Sequence, residues 1–292
     1  MRTHHSQALG ETVLCTELEG GLEVWVAPMA GMATRTAYYG TRFGSNLVRF
    51  RRDGAERKTP AGTAHYLEHQ LFEGDTPVFD RFAALDASCN AFTSFESTVY
   101  TFACAEAVAF DAGWELLLDF VQHPSITEES VEKERGIIIE EVKMYRDNPE
   151  WRVHFDCLGA MFGDHPVSVP PGGTTKSVEA ITRGHLVDAW EAHYRPEHMF
   201  ALVVGDVDPE AVVEATRRAL DPPEGGPAEP MVSKPRSGVS SPEVRGRHDL
   251  ARPRVCIGWR DDHAVGLGGP VLRQRVAIGM GLDLVLGASS DA

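Results

Sequence analysis

The segment Gly62–Phe72 must become a helix that meets a partner, because it carries two histidines and a carboxylate among apolar residues. His65 and His69 stand at i and i+4, one turn apart on the same face, and Glu68 sits beside them. Two neutral imidazoles from one helical turn are half of a zinc site, and a neighbouring carboxylate can take a proton from water held on the metal. The same trio could decorate a solvated helix face. Ala61, Ala64, Leu67, Leu71 and Phe72 argue for a buried helix instead, and a buried His-Glu-His group needs a partner such as a metal. The order His-x-x-Glu-His inverts the commoner zinc-protease motif.

A second stretch offers the missing ligand. Thr127–Tyr145 reads as a long helix opened by a threonine cap and an acidic first turn. Helical geometry puts Glu134, Ile137, Ile138, Glu141, Met144 and Tyr145 on one face, with Glu140 on a polar face beside Lys133, Gly136 and Lys143. Glu141 thus lies inside an apolar stripe, where an unpaired carboxylate is costly and coordination of a cation removes the cost. A snorkelling or salt-bridged glutamate is the alternative. With His65 and His69, Glu141 makes a two-His, one-Glu set with a fourth position for water, and Glu134 can brace the site from behind.

Around these helices the chain alternates strands and helices. Residues 12–18 and 22–27 read as a hairpin about Glu19-Gly20-Gly21, followed by strands near 34–39 and 46–52. Thr59 and Pro60 suit the cap and first turn of the histidine helix, and Gly74 suits its end. A short helix at 79–85, a strand pair within 89–102 and an amphipathic helix at 106–122 come next, with Phe110 and Trp114 as core. Beyond the long helix, helices are expected at 152–162, 177–193 and 209–220, with a buried strand at 199–207. The Pro-, Gly- and Ser-rich run 221–243 reads as a linker. It divides a catalytic domain, 1–220, from residues 244–292, where a strand at 253–260 and a helix at 270–287 are expected.

Composition removes several classes of partner. The 292 residues carry a net charge of -15, which excludes nucleic acid and anionic membrane as partners and favours basic peptides as substrates. The absence of a long apolar run or an apolar leader leads to the expectation of a cytoplasmic protein. Five scattered cysteines without a Cys-x-x-Cys pair point to small buried thiols rather than disulfides. The ten remaining histidines lack comparable pairing and are expected to be structural or exposed.

These residues resemble the pitrilysin or insulinase zinc peptidases. The resemblance is carried by His65-x-x-Glu68-His69 with Leu71-Phe72-Glu73-Gly74, by Asn90-Ala91-Phe92-Thr93-Ser94 with Thr98 and Tyr100, by Glu134 and Glu141, by Asp147-Asn148-Pro149, and by Val203-Val204-Gly205-Asp206-Val207. It implies one Zn2+ held by His65, His69 and Glu141, Glu68 as general base, Glu134 as a supporting carboxylate, and Asn90 and Ala91 on an edge strand that pairs with peptide substrate. The fold implied is α+β, a mixed β-sheet packed against helices, repeated in tandem as a clamshell. Here 244–292 matches only the opening of the second repeat, and no copy of the family's substrate-binding Arg and Tyr pair precedes Ala292. The expected function is a zinc endopeptidase acting on oligopeptides or unfolded segments. The alternatives are a non-catalytic or partner-dependent peptide-binding subunit, with a second homologous chain completing the chamber, and a structural zinc domain.

Overall fold

The computed structural model describes residues 1–74, 76–247, 250–260 and 269–286. Strands β1 (Arg2–Ser6), β2 (Glu11–Glu17), β3 (Glu23–Pro28), β4 (Arg35–Thr41), β5 (Arg49–Arg52) and β6 (Ala55–Lys58) lead to helices α1 (Thr63–Leu71) and α2 (Val78–Ala83). Strands β7 (Ser88–Thr93) and β8 (Thr98–Cys104) precede α3 (Ala107–Gln122), α4 (Glu128–Asp147), α5 (Pro149–Phe162), α6 (Thr175–Glu179) and α7 (Arg183–His193). The described chain ends with β9 (Met199–Gly205), α8 (Pro209–Ala219), β10 (Glu229–Pro230) and α9 (Gly269–Leu286).

The main sheet has the order β1-β2-β3-β9-β4-β8-β7. It is mixed because β9 returns parallel to β3 while pairing antiparallel with β4. Period-two burial gives the sheet one core face. Val24, Val26, Ala37, Tyr39, Tyr100, Phe102, Ala201 and Val203 stand across from one another in register and are all buried. Helices α1, α3 and α8 pack on this sheet, and Trp114 of α3 fills the centre edge-on to Tyr39, its indole N–H donating to Thr216 Oγ1 at 3.2 Å. The α+β architecture expected from the sequence is therefore the one formed. Strand β7 closes the order at one end, so its outer edge has no sheet partner among the described residues.

Several local expectations are corrected. Helix α1 begins at Thr63 with Gly62 as its cap, not at Thr59 and Pro60, because Gly62 adopts the left-handed conformation (φ 95°) that sets the chain's approach. The helix expected over 177–193 is two helices. Thr182 opens α7 with its own capping interaction, while Arg135 donates to the carbonyls of Val178, Glu179 and Ile181 and so satisfies the end of α6. Helix α5, expected from 152, begins at Pro149, which suits a first turn, with Asn148 as its cap. Residues 253–260 form no ladder. They lie along α5 through an Arg254–Glu150 pair (3.1 Å), while Val255, Ile257 and Trp259 stay exposed for want of a sheet to join among the described residues. Strands β1, β6 and β10 are unforeseen: β10, inside the run 221–243, pairs with β5. Cys15 and Cys104 are buried as expected, whereas Cys256 is exposed. His248 and His263 lie outside the described residues. Among those residues, no helix is long and apolar enough to cross a membrane.

Candidate metal centre

The start of α1 fits against a glycine turn. A Cβ on Gly62 would stand 2.8 Å from the Gly172 carbonyl oxygen, so only glycine lets residues 170–173 close over the helix end, where Gly172 packs near His65. Thr63 Oγ1 donates to Pro60 O (2.7 Å) and completes the turn. The inner face of α1 buries Ala64, Tyr66, Leu67 and Leu71. Two bonds then pin α1 to α4: the Tyr66 hydroxyl donates to Val131 O, and Gln70 Nε2 donates to Ser130 Oγ at 2.6 Å. The threonine cap and acidic first turn of α4 form as its sequence requires.

This packing brings His65, His69 and Glu141 together. Glu141 Oε2 is 3.7 Å from His65 Nε2 and 3.4 Å from His69 Nε2, and one donor atom from each residue lies within 4.8 Å of the others. Donors held about 2.0–2.1 Å from a tetrahedral zinc are separated by roughly 3.4 Å, so the set fits the ion. His69 Nδ1 faces Glu134 Oε2 at 3.2 Å. Both nitrogens of His69 therefore point at carboxylates. That suits an imidazole whose Nδ1–H is given to Glu134 while Nε2 shares a cation with Glu141. The apolar stripe read from the sequence is only partly buried. Ile138 is enclosed, but Ile137 and Met144 are exposed, and Glu141 looks into a cleft rather than a core.

Glu68 lies beside the trio, nearly enclosed, and accepts a hydrogen bond from the Thr93 hydroxyl. Burial pushes its carboxyl above the usual range, against the lowering effects of Thr93 and His69. Burial, together with His69, lowers His65 to about 4. Burial also opposes charge on His69, but its hydrogen bonds to Glu134 and Glu141 prevail and raise it to about 9. The hydrogen bond to His69 holds both glutamates below the ordinary carboxylate range. A cluster arranged in this way favours positive charge at one point between Nε2 of His69 and Glu141.

The cleft has a volume of ≈ 640 Å³ and takes its other wall from Ala91, Phe92 and Thr93 of edge strand β7. Asn90 is not part of that wall; its Oδ1 accepts the backbone N–H of Ala91 at 2.9 Å. Sequence reasoning gave no role to Thr93, although it follows Ala91 at i+2 and so shares its strand face. It also left Trp151 and Phe155 unassigned, though both line the cleft.

Comparison with known proteins fits this geometry. The insulinase (peptidase family M16) model matches residues 54–175, and that of the peptidase M16 inactive domain matches 180–261. A Bacillus subtilis protein named uncharacterized zinc protease YmfH is 36% identical over 293 residues, covering 97% of this chain and 67% of its own. The chain belongs to the M16, or insulinase, peptidase family. An uncharacterized zinc protease of Streptomyces coelicolor is 32% identical, with 96% of this chain and 60% of the relative covered. Among solved structures, an M16-like peptidase from Alicyclobacillus acidocaldarius superposes with TM-score 0.75 at 33% identity, over 79% of this chain and 55% of that one. Pitrilysin shares the fold at TM-score 0.65 and 20% identity, over 80% of this chain and 25% of its own. This M16 chain thus spans roughly half to two thirds of the first relatives it matches, from 55% to 67%.

Proposed function

We propose that this chain is the metal-binding half of a zinc-dependent endopeptidase that hydrolyses oligopeptides or unfolded segments. The observation that supports it is the convergence of two imidazoles and Glu141 on one point, with the buried carboxylate of Glu68 alongside. In this reading His65, His69 and Glu141 hold one Zn2+, and Glu134 fixes the orientation of His69. Residues 1–220 are the catalytic domain, 221–243 the linker, and 244–292 the start of a second repeat.

When bound, zinc supplies Lewis acidity, polarising the scissile carbonyl and acidifying water at the site. Glu68 takes a proton from the attacking water and returns it to the departing amine nitrogen. Its raised proton affinity suits both halves of that transfer, and Thr93 keeps the carboxylate aimed. The free edge of β7 offers backbone groups to an extended peptide beside the site, which would lay the peptide over Ala91. Asn90 holds the Ala91 N–H in the absence of substrate, so it would release that N–H as the peptide pairs.

A second reading, a non-catalytic or partner-dependent peptide-binding subunit, draws on the match of residues 180–261 to the peptidase M16 inactive domain. Zinc content and cleavage of a fluorogenic peptide, measured on the wild type and on Glu68→Gln, separate the two. One zinc in each, with cleavage in the wild type alone, is the expected result. Zinc in both with cleavage in neither transfers the proposal to the partner-dependent form. A folded wild type that takes up no zinc refutes the ligand assignment.

A further inference from the structure

Residues 253–260 join no sheet among the described residues, yet they are laid along α5 with one side turned to it. Arg254 pairs with Glu150 near the start of the helix, and at its far end the Arg260 guanidinium stands 5.0 Å from the centre of the Phe162 ring. Between these anchors, a Cβ on Gly258 would clash with Met161 Sδ and fall 3.1 Å from Cys157 Sγ, so the backbone passes α5 at a distance that only glycine allows. Positions 254, 258 and 260 thus meet the helix, while Val255, Ile257 and Trp259 are exposed. In an extended chain alternate residues share a side, and Cys256 has the parity of the first set.

That parity brings together two thiols that are distant in the chain. The Cys157 and Cys256 thiols are hydrogen-bonded to each other, and Met161, one turn further along α5, brings its Sδ to 4.0 Å from Cys157 Sγ. The surroundings of the two cysteines differ. Cys157 is half-buried, and burial, followed by the bond to Cys256, pushes its thiol up, whereas Cys256 is exposed. An exposed thiol meets an oxidant first, and a second thiol in contact with it can displace what the first has captured.

We propose that Cys157 and Cys256 form a reversible disulfide, a redox site that fastens residues 253–260 to the helix whose Trp151 and Phe155 wall the cleft. The co-reactant is a small-molecule disulfide such as oxidised glutathione. The Cys256 thiolate attacks one of its sulfurs, forming a mixed disulfide and expelling one glutathione thiolate. The Cys157 thiolate then attacks the Cys256 sulfur, which closes the protein disulfide and expels the second glutathione thiolate. In all, the two protein thiols give up two electrons and two protons, and both leave with the glutathione, now reduced to two thiols. Excess reduced glutathione runs the sequence backwards. The inference stands apart from the peptidase reading, because it needs neither zinc nor cleavage.

The test equilibrates the full chain in mixtures of oxidised and reduced glutathione, quenches with acid, alkylates the free thiols and maps the proteolytic fragments by mass spectrometry. The same mixtures in urea give the closing constant of this pair when the fold no longer holds it together. Expected is an internal cross-link between the fragments that carry Cys157 and Cys256, with two of the five thiols lost. The closing constant should be at least about 10-fold higher in the folded chain than in urea. In Cys157→Ser and Cys256→Ser, shown to be folded by circular dichroism, no other internal cross-link should take its place. Cys256 is exposed, so Cys256→Ser decides the point if Cys157→Ser does not fold. A closing constant no higher in the folded chain than in urea overturns the proposal. Glutathione that stays on Cys256 without closure overturns it too, as does a cross-link between two copies of the chain in place of the internal one.

Discussion

Replacing Glu134 should weaken zinc binding in a graded way that reports on its bond to His69. The carboxylate lies 3.2 Å from His69 Nδ1, and its side chain is only 7% exposed, so water screens the contact little. Partners of this kind typically contribute 10–100-fold in metal affinity, or about 1.4–2.7 kcal/mol. Glutamine keeps the shape and can still accept from Nδ1–H, but as a neutral acceptor. Charge-assisted bonds are roughly twice as strong as neutral ones, so about half of the free energy survives in Glu134→Gln. Glu134→Gln is therefore expected near a 10-fold loss, and Glu134→Ala, which leaves His69 without its partner, near 100-fold. The assay is competition for zinc against a chromophoric chelator, with thermal melts of the metal-free variants to show that they are folded. Zinc affinity in Glu134→Ala within about 2-fold of wild type would refute the reasoning, because His69 would then be oriented by something else.

Three further outcomes are expected. Thr93→Val removes the hydrogen bond to Glu68 and should lower peptide cleavage by about 10-fold while zinc content stays at the wild-type level; loss of zinc instead would show that Thr93 acts on the metal centre's structure. Gly62→Ala puts a Cβ 2.8 Å from the Gly172 carbonyl oxygen at a left-handed φ, and urea melts should show a loss of about 1–3 kcal/mol; an unchanged midpoint would mean that the turn at 170–173 yields freely. His193 is stacked on Phe43 at 4.4 Å with its Nε2 unpartnered, and burial lowers its pKa to about 3 from 6.5. As pH falls below 6.5 the unfolded chain takes a proton that the folded chain refuses, so stability drops, by about 2 kcal/mol between pH 7 and 5 from this group. His193→Phe should remove that contribution. Parallel pH–stability curves for wild type and variant would refute the assignment.

Much of the site was legible in the sequence because helical periodicity is a local property. The i, i+4 spacing of His65 and His69 dictated a shared face, and the same rule separated Glu134 and Glu141 from Glu140. The run 89–102, rich in threonine and aromatics, and the apolar run 199–207 likewise read as strands, and β7, β8 and β9 form there. Less was legible where a boundary depends on a distant group. The carbonyls that end α6 are satisfied by Arg135 from α4, and Gly62 takes its cap conformation against Gly172, contacts between residues far apart in the chain. Residues 253–260 show the same limit from the other side: their alternating pattern reads as a strand, but a strand forms only where another offers its backbone.

By itself, the sequence determined which side chains could share a helix face and hence which residues could supply imidazole and carboxylate to one ion. Tertiary structure alone decided that the two faces meet, through Tyr66 and Gln70 reaching α4, and that Thr93 arrives at Glu68 from an edge strand. It also decided that Tyr145, Trp151 and Phe155 stay open to the cleft. The physical reason is range: backbone periodicity acts over a few residues, whereas burial and hydrogen-bond partnership depend on what packing brings from elsewhere in the chain.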